Sequence, residues 1–382
     1  MKIPVLLPKI FNYPLTYKSN TEKHFKAGDL VEVPFGKSKE FGVVWNRLED
    51  TNKNLKLRSI NKKIEKININ RKLIEFIDWF SVYNIVPRGM VLKMCLGGKK
   101  NFIKINSKKD KKIDIKKKEY SLNEEQLSAL KDLSKFGDKF NVSVLQGVTG
   151  SGKTLVYFER IKEVLKRKKQ VLILLPEIFL TNQFEERFLD FFGSKPAIWH
   201  SKVTTKNKKK IWHEVIKNEI KIVIGARSSL FLPFKDLGLV IVDEEHDPSY
   251  KQDEGLIYNA RDMAIARASI ENFPIVLVSS IPSLETFNHI KNKKYKHTKI
   301  IKRFNDYPLP EAKIINLNLE NMKNEYISKE TIKTVNKYLE KNEQVLFFLN
   351  RRGYSPFLIC KKCGHKHTCP NCSIYLTYHK SL

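Results

Sequence analysis

The sequence predicts an α/β chain centred on a parallel, doubly wound sheet, with a small β-rich unit before it and the start of a further unit after it. Two observations carry this. From Ser121 onward, short apolar runs ("VSVLQ", "VLILLP", "IKIVIG", "LGLVIVD", "PIVLVSS") alternate with segments of helical periodicity, as buried parallel strands joined by crossover helices do. Within that region "GVTGSGKT", residues 147–154, is a G-x-x-x-x-G-K-T loop lying between such a run and a helical pattern. In that context backbone N–H groups and a helix N-terminus converge on a phosphate. With 382 residues, 41% hydrophobic and 29% charged, the chain is long enough for two or three domains, each with a core.

Residues 1–97 read as the β-rich unit. In "DLVEVPFGKSKEFGVVW" (29–45) two apolar runs flank "PFGKSKE", a hairpin signature. "NRKLIEFIDWFSVYNIVPRGMVLKMCL" (70–96) has helical spacing until Pro87. Residues 98–120 are lysine-dense and almost without core residues, which predicts a flexible basic linker. Residues 121–308 form the sheet domain, closed by the charged stretch 291–313. The segment 309–382 begins something new, and "TIKTVNKYLEKNEQVLFFLNRRGYS" (331–355) predicts one helix and one strand of it.

The loop assigns chemistry. Glycines Gly147, Gly150 and Gly152, with Val148, Thr149 and Ser151 between them, turn backbone donors toward a β-phosphate. Lys153 reaches the β/γ-phosphates of a nucleoside triphosphate such as ATP, and the Thr154 hydroxyl ligates Mg²⁺. "LGLVIVDEEH" (237–246) delivers Asp243 and Glu244 at the C-terminal end of a buried strand, where such sheets bind ligands. Asp243 is expected to hold Mg²⁺ through its water shell, and Glu244 to orient or deprotonate the attacking water. Upstream, "SLNEEQLSAL" has a capping-box-like Ser121/Glu124 pair and carries Gln126. Its amide could read an adenine edge, or it could be a plain surface glutamine.

Lys+Arg number 71 against 41 Asp+Glu, a formal net charge of +30. Such an excess predicts attraction to a polyanion, with nucleic acid ahead of an anionic membrane, the alternative being a solvated lysine coat. No run of 18 apolar residues occurs, and "IPVLLP" near the N-terminus is a poor signal peptide, so a cytoplasmic location is expected. There, disulfides are disfavoured. Cys95 stands alone on an apolar segment and reads as core. Cys360, Cys363, Cys369 and Cys372 form "CKKCGHKHTCPNC", two C-x₂-C zinc knuckles. Five residues between knuckles is short for one metal, so each is expected to supply half of a separate site. His365 and His367 are alternative ligands, and an idle pair is the remaining reading.

Taken in order, "GVTGSGKT", "LLPEIFLT", "HS" (200–201), "IGARSSLFLPF" (224–234), "VDEEHDPSYKQDEG" (242–255) and "ARD" (260–262) resemble the PriA family of replication-restart DNA helicases. "VEVPFG" (31–36) and "FGVVW" (41–45) resemble that family's 3′-DNA-end-binding domain, and "FLNRRGYSPFLICKKCG" (348–364) the entry to its second motor lobe and zinc region. The resemblance implies a RecA-like P-loop motor, an ATP-dependent 3′-to-5′ DNA helicase that recognises stalled forks and initiates primosome assembly. It implies two interleaved Cys₄ zinc ions. As partners it implies forked and single-stranded DNA, primosome proteins, a replicative helicase loader and single-stranded DNA-binding protein. By motif, Gln126 sits against the adenine, and Pro176, Glu177, Thr181, Arg227 and Ser228 touch the single strand. Thr16, Tyr17 and Gly36 belong to the 3′-end pocket, and Tyr258, Arg261 and Asp262 to an aromatic-rich loop.

The chain departs from the pattern in several places. Leu15 replaces an aromatic residue of the 3′-end pocket, and an aliphatic side chain cannot stack on a base. Ser280-Ile281 occupies the Ala-Thr position of a motif that couples hydrolysis to strand movement, and Ile257 and Asn259 replace arginine and histidine. A winged-helix domain is missing where the basic linker lies, and most of the second lobe is absent, so a truncated helicase is expected. The alternative is a fork-binding recruitment module with little unwinding. A generic RNA helicase is a third reading.

Overall fold

The computed structural model describes residues 1–19, 24–46, 57–97, 120–135, 137–179, 181–303, 310–317, 327–348 and 362–368. Two compact units divide the chain, Met1–Pro308 and Leu309–Leu382.

The first unit opens with five antiparallel strands, β1 (Lys2–Leu6), β2 (Leu15–Lys18), β3 (Asp29–Phe35), β4 (Ser38–Val44) and β5 (Lys62–Asn68), in the order β2-β1-β4-β3-β5. The expected hairpin is β3–β4, closed by Gly36 and Lys37 with Phe35 opposite Ser38. Gly36 takes φ +59°, a left-handed turn conformation that a glycine adopts without strain. Helix α1 (Arg71–Tyr83) is capped by Asn70, whose side chain accepts from Leu73 N at 2.7 Å. Its apolar face is continuous, yet Pro87 cannot join it, and a second helix, α2 (Arg88–Leu96), starts immediately after the proline.

These two helices have no core of their own. Phe76, Phe80, Leu92 and Cys95 share one apolar cluster with Trp212, Phe231, Val240 and Leu277 of the following region. Asn70 Nδ2 donates to Phe234 O at 2.9 Å, and Trp212 Nε1 to Cys95 O at 2.8 Å. Burial pushes the Cys95 thiol up to about 12, so it behaves as a small core hydrophobe.

The larger sheet holds seven parallel strands in the order β14-β6-β13-β10-β7-β9-β8. They are β6 (Val142–Gly147), β7 (Gln170–Leu174), β8 (Ala197–Trp199), β9 (Ile222–Gly225), β10 (Leu237–Asp243), β13 (Ile275–Ser279) and β14 (Lys296–Ile300). Between β10 and β13 a small ribbon pairs β11 (Lys251–Gln252) with β12 (Tyr258–Asn259). On β10, Leu239 and Ile241 enter one apolar cluster while Val240 and Val242 enter another. Alternating residues face opposite sides of a strand, so both faces of the sheet are covered: helices α3 (Glu124–Ser134), α4 (Lys153–Lys166) and α5 (Asn182–Phe192) contribute to one cluster, α6 (Thr205–Ile216) and α7 (Ala260–Glu271) to the other.

Two expectations for this region need correction. Helix α3 is capped by Asn123 and Gln126, not by Ser121 and Glu124: each side chain bonds the other's backbone N–H. The capping motif fits two residues downstream because Asn123 takes the extended conformation the cap requires. The charged stretch 291–313 supplies an edge strand, β14, which pairs with β6 alone. Its lysines lean to solvent, as edge strands tolerate.

In the second unit, α9 (Lys329–Leu339; α8 is Leu284–Lys291) begins at Ser328, whose hydroxyl accepts from Thr331 N. The strand expected after it is not formed: residues 343–348 have no regular structure, and Leu346 and Phe348 are exposed. A strand needs a ladder partner, and these residues find none among those described. Of the linker expected over 98–120, residues 98–119 lie outside the described residues while Tyr120 stacks on Phe191 at 5.5 Å; Cys360, Cys369 and Cys372 also lie outside them, and Cys363 is exposed. Among the described residues no group of His, Cys, Asp or Glu is arranged to hold a metal, and no helix is long and apolar enough to cross a membrane.

Candidate nucleotide site and nucleic-acid interface

Strand β6 ends at Gly147 and helix α4 begins at Lys153, so the intervening loop lies across the sheet's C-terminal edge and the helix N-terminus points into it. Gly150 and Gly152 take φ +82° and +81°. A Cβ on Gly147 would stand 2.5 Å from Ser151 Oγ and 3.0 Å from Lys153 Cγ, so the cradle closes only around glycine. Lys153 Nζ folds back onto Gly147 O at 2.7 Å, a hydrogen bond that a phosphate oxygen can replace. Burial lowers the lysine's pKa, while Glu244 and Asp243 oppose that shift. The buried Ser151 hydroxyl has no partner among the described residues. Val148, Thr149 and Gly150 form the outer, accessible rim. An open donor cradle with a half-buried lysine fits a triphosphate.

Gln126 stands beside the loop, but its amide is engaged. Oε1 accepts from Asn123 N and Nε2 donates to Ser151 O at 2.9 Å, with the residue wholly buried. It braces the phosphate loop in this conformation, which is neither surface glutamine nor free adenine reader.

Asp243 ends β10 facing the loop. Tyr157 donates to its Oδ2 at 2.9 Å and Glu244 N to its Oδ1 at 3.0 Å. Burial pushes its pKa up to about 6, against the lowering effect of the Tyr157 hydrogen bond. The Thr154 hydroxyl, on the first turn of α4, bonds the Tyr157 hydroxyl that in turn donates to Asp243, and a hydroxyl with a carboxylate is a donor set that suits a hydrated magnesium ion. Glu244 follows at φ +48°, a strained backbone for a non-glycine residue, with its carboxylate 3.6 Å from His246 Nδ1. His246 Nδ1 also meets Ser279 Oγ at 2.7 Å. The acidic motif is thereby tied to the end of β13, just before Ser280 and Ile281, and the Ile281 side chain is 73% exposed.

A residue that the sequence reading passed over organises the neighbourhood. The Glu245 carboxylate, fully buried, accepts from Ser283 N at 2.7 Å, Thr286 Oγ1 at 2.9 Å and Arg261 Nη1 at 3.1 Å. Its only sequence signal was a third acidic residue where two sufficed. Arg261 and Tyr258, expected on a DNA-contacting loop, are instead buried in this conformation. Arg261 is spent on Glu245 and Asp262, and the Tyr258 ring packs edge-on against Phe80 and Phe231. Sequence resemblance locates a loop but not which of its side chains turn inward.

The other expected strand contacts lie at the sheet's C-terminal side. Pro176 is buried, whereas Glu177 and Thr181 are exposed, with Thr181 capping α5. Arg227 donates to Lys251 O, and Ser228 beside it is exposed. Of the residues expected to form a 3′-end pocket, Tyr17 is buried and donates to Pro34 O at 3.2 Å, Thr16 is half-buried on β2, and open space surrounds the missing side chain of Gly36. Two further features surround it. Arg58 Nη1 reaches Gly36 O at 2.7 Å, and Phe11 packs on Phe35 at 5.8 Å with Lys9 over the Phe35 ring at 5.0 Å. Rings thus stand near the pocket despite Leu15, brought there from "KIFNY" by folding alone.

Comparison with known proteins agrees with this layout. Residues 123–289 match the DEAD/DEAH box helicase family, and residues 3–97 match the 3′ DNA-binding domain family named for PriA. The chain is 42% identical over 383 residues to the replication restart protein PriA of Rickettsia felis, covering 99% of this chain and 58% of the relative. It is 43% identical over 260 residues to the Haemophilus influenzae PriA, covering 68% of this chain and 35% of that protein. The Bacillus subtilis PriA is 40% identical over 245 residues, covering 64% and 30%.

Proposed function

The chain belongs with the PriA replication restart proteins, of which it spans 58% of the length of the Rickettsia felis member, and from that premise we propose that it serves as an ATP-driven DNA motor that recognises stalled forks and initiates replication restart. The observation that carries this reading is one compact unit, Met1–Pro308, holding both the phosphate loop facing Asp243 and the strand hairpin at Gly36. Residues 147–152 and Lys153 hold the phosphates of ATP, Thr154 and Asp243 hold Mg²⁺, and Glu244 takes the proton of the attacking water. Thr16, Tyr17, Gly36 and Arg58 receive a 3′ DNA end, while Glu177, Thr181, Arg227 and Ser228 follow the single strand. Tyr258 and Arg261 act on the strand indirectly, by holding that face together. Unwinding runs 3′ to 5′, in the cytoplasm, with primosome proteins, a helicase loader and single-stranded DNA-binding protein as partners. Cys360, Cys363, Cys369 and Cys372 supply halves of two zinc sites, a reading that rests on their spacing.

The second reading, a fork-binding recruitment module, is favoured by one observation. Ile281 presents a 73% exposed hydrocarbon where coupling needs a hydroxyl. ATP hydrolysis by the 382-residue chain, with and without a forked DNA bearing a 3′ end at the junction, separates the two. Fork-stimulated turnover that disappears in Lys153→Ala supports the motor. Fork binding without turnover supports the module.

A further inference from the structure

Helix α1 carries three aromatic side chains on one stripe, Phe76, Trp79 and Tyr83, at the i, i+3, i+7 spacing that aligns them. Their rings are nearly parallel. Phe76 and Trp79 lie 18° apart in plane with centroids at 6.4 Å, and Trp79 and Tyr83 lie 17° apart at 4.8 Å. Most contacts among the core aromatics are edge-on or tilted, the arrangement ring quadrupoles favour. The column is graded in exposure: Phe76 is buried, Trp79 half-buried and Tyr83 64% exposed. It ends in solvent, at a tip where Ile85 is 92% exposed and held at φ +53°.

That tip is rigidly fixed. Ser81 Oγ donates to Val86 O at 2.6 Å and Val86 N to Ser81 O at 3.0 Å, so Ile85 keeps a backbone that a β-branched residue rarely adopts. The helix's carboxylates do not repel a polyanion either. Glu75 pairs with Arg71 and Lys72, and Asp78 with Arg88. At its buried end the column abuts the motor. Phe76 contacts Phe231 at 6.1 Å, the last residue of the turn that carries Arg227 and Ser228. The whole helix lies within the stretch matched to a 3′ DNA-binding domain.

We infer that the outer face of Tyr83 is a stacking platform for an unpaired nucleobase, a DNA contact separate from the Gly36 pocket. A base laid on Tyr83 extends the ring column by one member and requires no hydrogen-bond pattern, so any base serves. This rests on the DNA-binding reading given above, and the test keeps the two apart. Affinity of the 382-residue chain is measured by fluorescence anisotropy for a labelled fork with an unpaired arm and for a blunt duplex, in wild type, Tyr83→Ala and Tyr83→Phe. Stacking is worth about 1–3 kcal/mol per base, which converts to a loss of roughly 5- to 150-fold in fork affinity for Tyr83→Ala. Tyr83→Phe retains the wild-type value, and the duplex is unaffected. The slope of log K against log salt stays constant, because stacking releases no counterions. Partly exposed Trp79 lies directly beneath, so its fluorescence is quenched by the fork in wild type. Unchanged fork affinity in Tyr83→Ala, or an equal loss on duplex, overturns the platform. Absence of fork binding in the wild type overturns it together with the DNA reading.

Discussion

The Tyr157 hydroxyl donates a 2.9 Å hydrogen bond to Asp243 Oδ2, joining the first turns after the phosphate loop to the end of the central strand. Both groups are buried, and the bond opposes the rise that burial imposes on the carboxyl's pKa. Tyr157→Phe removes the donor and leaves the acceptor buried with Glu244 N alone. The expected loss is about 1.5–3 kcal/mol where Asp243 is ionised, read by urea unfolding at pH 8, with a smaller loss at pH 5.

Asp243 itself gives stability a pH slope. Its pKa is about 6 in the fold against an ordinary 3.8, so between those values the native state keeps a proton that the unfolded chain releases. Stability from this group is therefore full below the lower value and is lost as pH rises through the upper one. The difference amounts to about 3 kcal/mol. Asp243→Asn removes this component, and the difference between the two unfolding profiles over pH 4–7 isolates it. Parallel profiles would contradict the buried-carboxyl account.

Glu245 ties β10 to α7 and to the start of α8 through one carboxylate. Glu245→Ala leaves the Arg261 guanidinium with the more exposed Asp262 and Glu285 and the Ser283 hydroxyl, and breaking a buried pair costs about 3–5 kcal/mol. Glu245→Gln preserves the shape and loses less. Chemical denaturation of both variants checks the order.

Gly150 and Gly152 share a left-handed backbone, but only Gly152 is crowded, its added Cβ falling 2.4 Å from Gln126 Nε2. Gly150→Ala should lose about 1–2 kcal/mol from strain alone. Gly152→Ala loses that and about 1 kcal/mol more, as Gln126 releases Ser151. Titration with a fluorescent ATP analogue should show the larger drop in affinity for Gly152→Ala.

Local chemistry was legible in the sequence; inward and outward orientation was not. The loop at 147–154, the carboxylate at the end of "LGLVIVD" and the β3–β4 hairpin each depend on residues adjacent in the chain, and the described structure has them in place. A motif names Gln126, Tyr258 and Arg261 as positions near ligand, whereas their burial is decided by what packs over them. "KHTKI" carries too many charges to announce a buried strand, yet it pairs along β6 as an edge. Conversely "QVLFF" (344–348) has strand composition but no ladder partner among the described residues. The helical spacing of 70–96 announces α1 but not the aligned rings of Phe76, Trp79 and Tyr83, since ring planes follow from rotamers that tertiary packing selects.

Because α1 and α2 complete the apolar cluster of the large sheet, the covalent connection between residues 97 and 120 is not what holds the two regions together. A chain cut there keeps every core contact, and the stretch 1–97 and the stretch from 120 onward become complementary halves of one protein. Supplied as separate polypeptides, they reassemble with an affinity that reports the strength of that shared core, and each half alone exposes the apolar face the other was built to cover. The region of the Gly36 hairpin and the region of the phosphate loop are thus one folding unit, divisible in sequence and indivisible in stability.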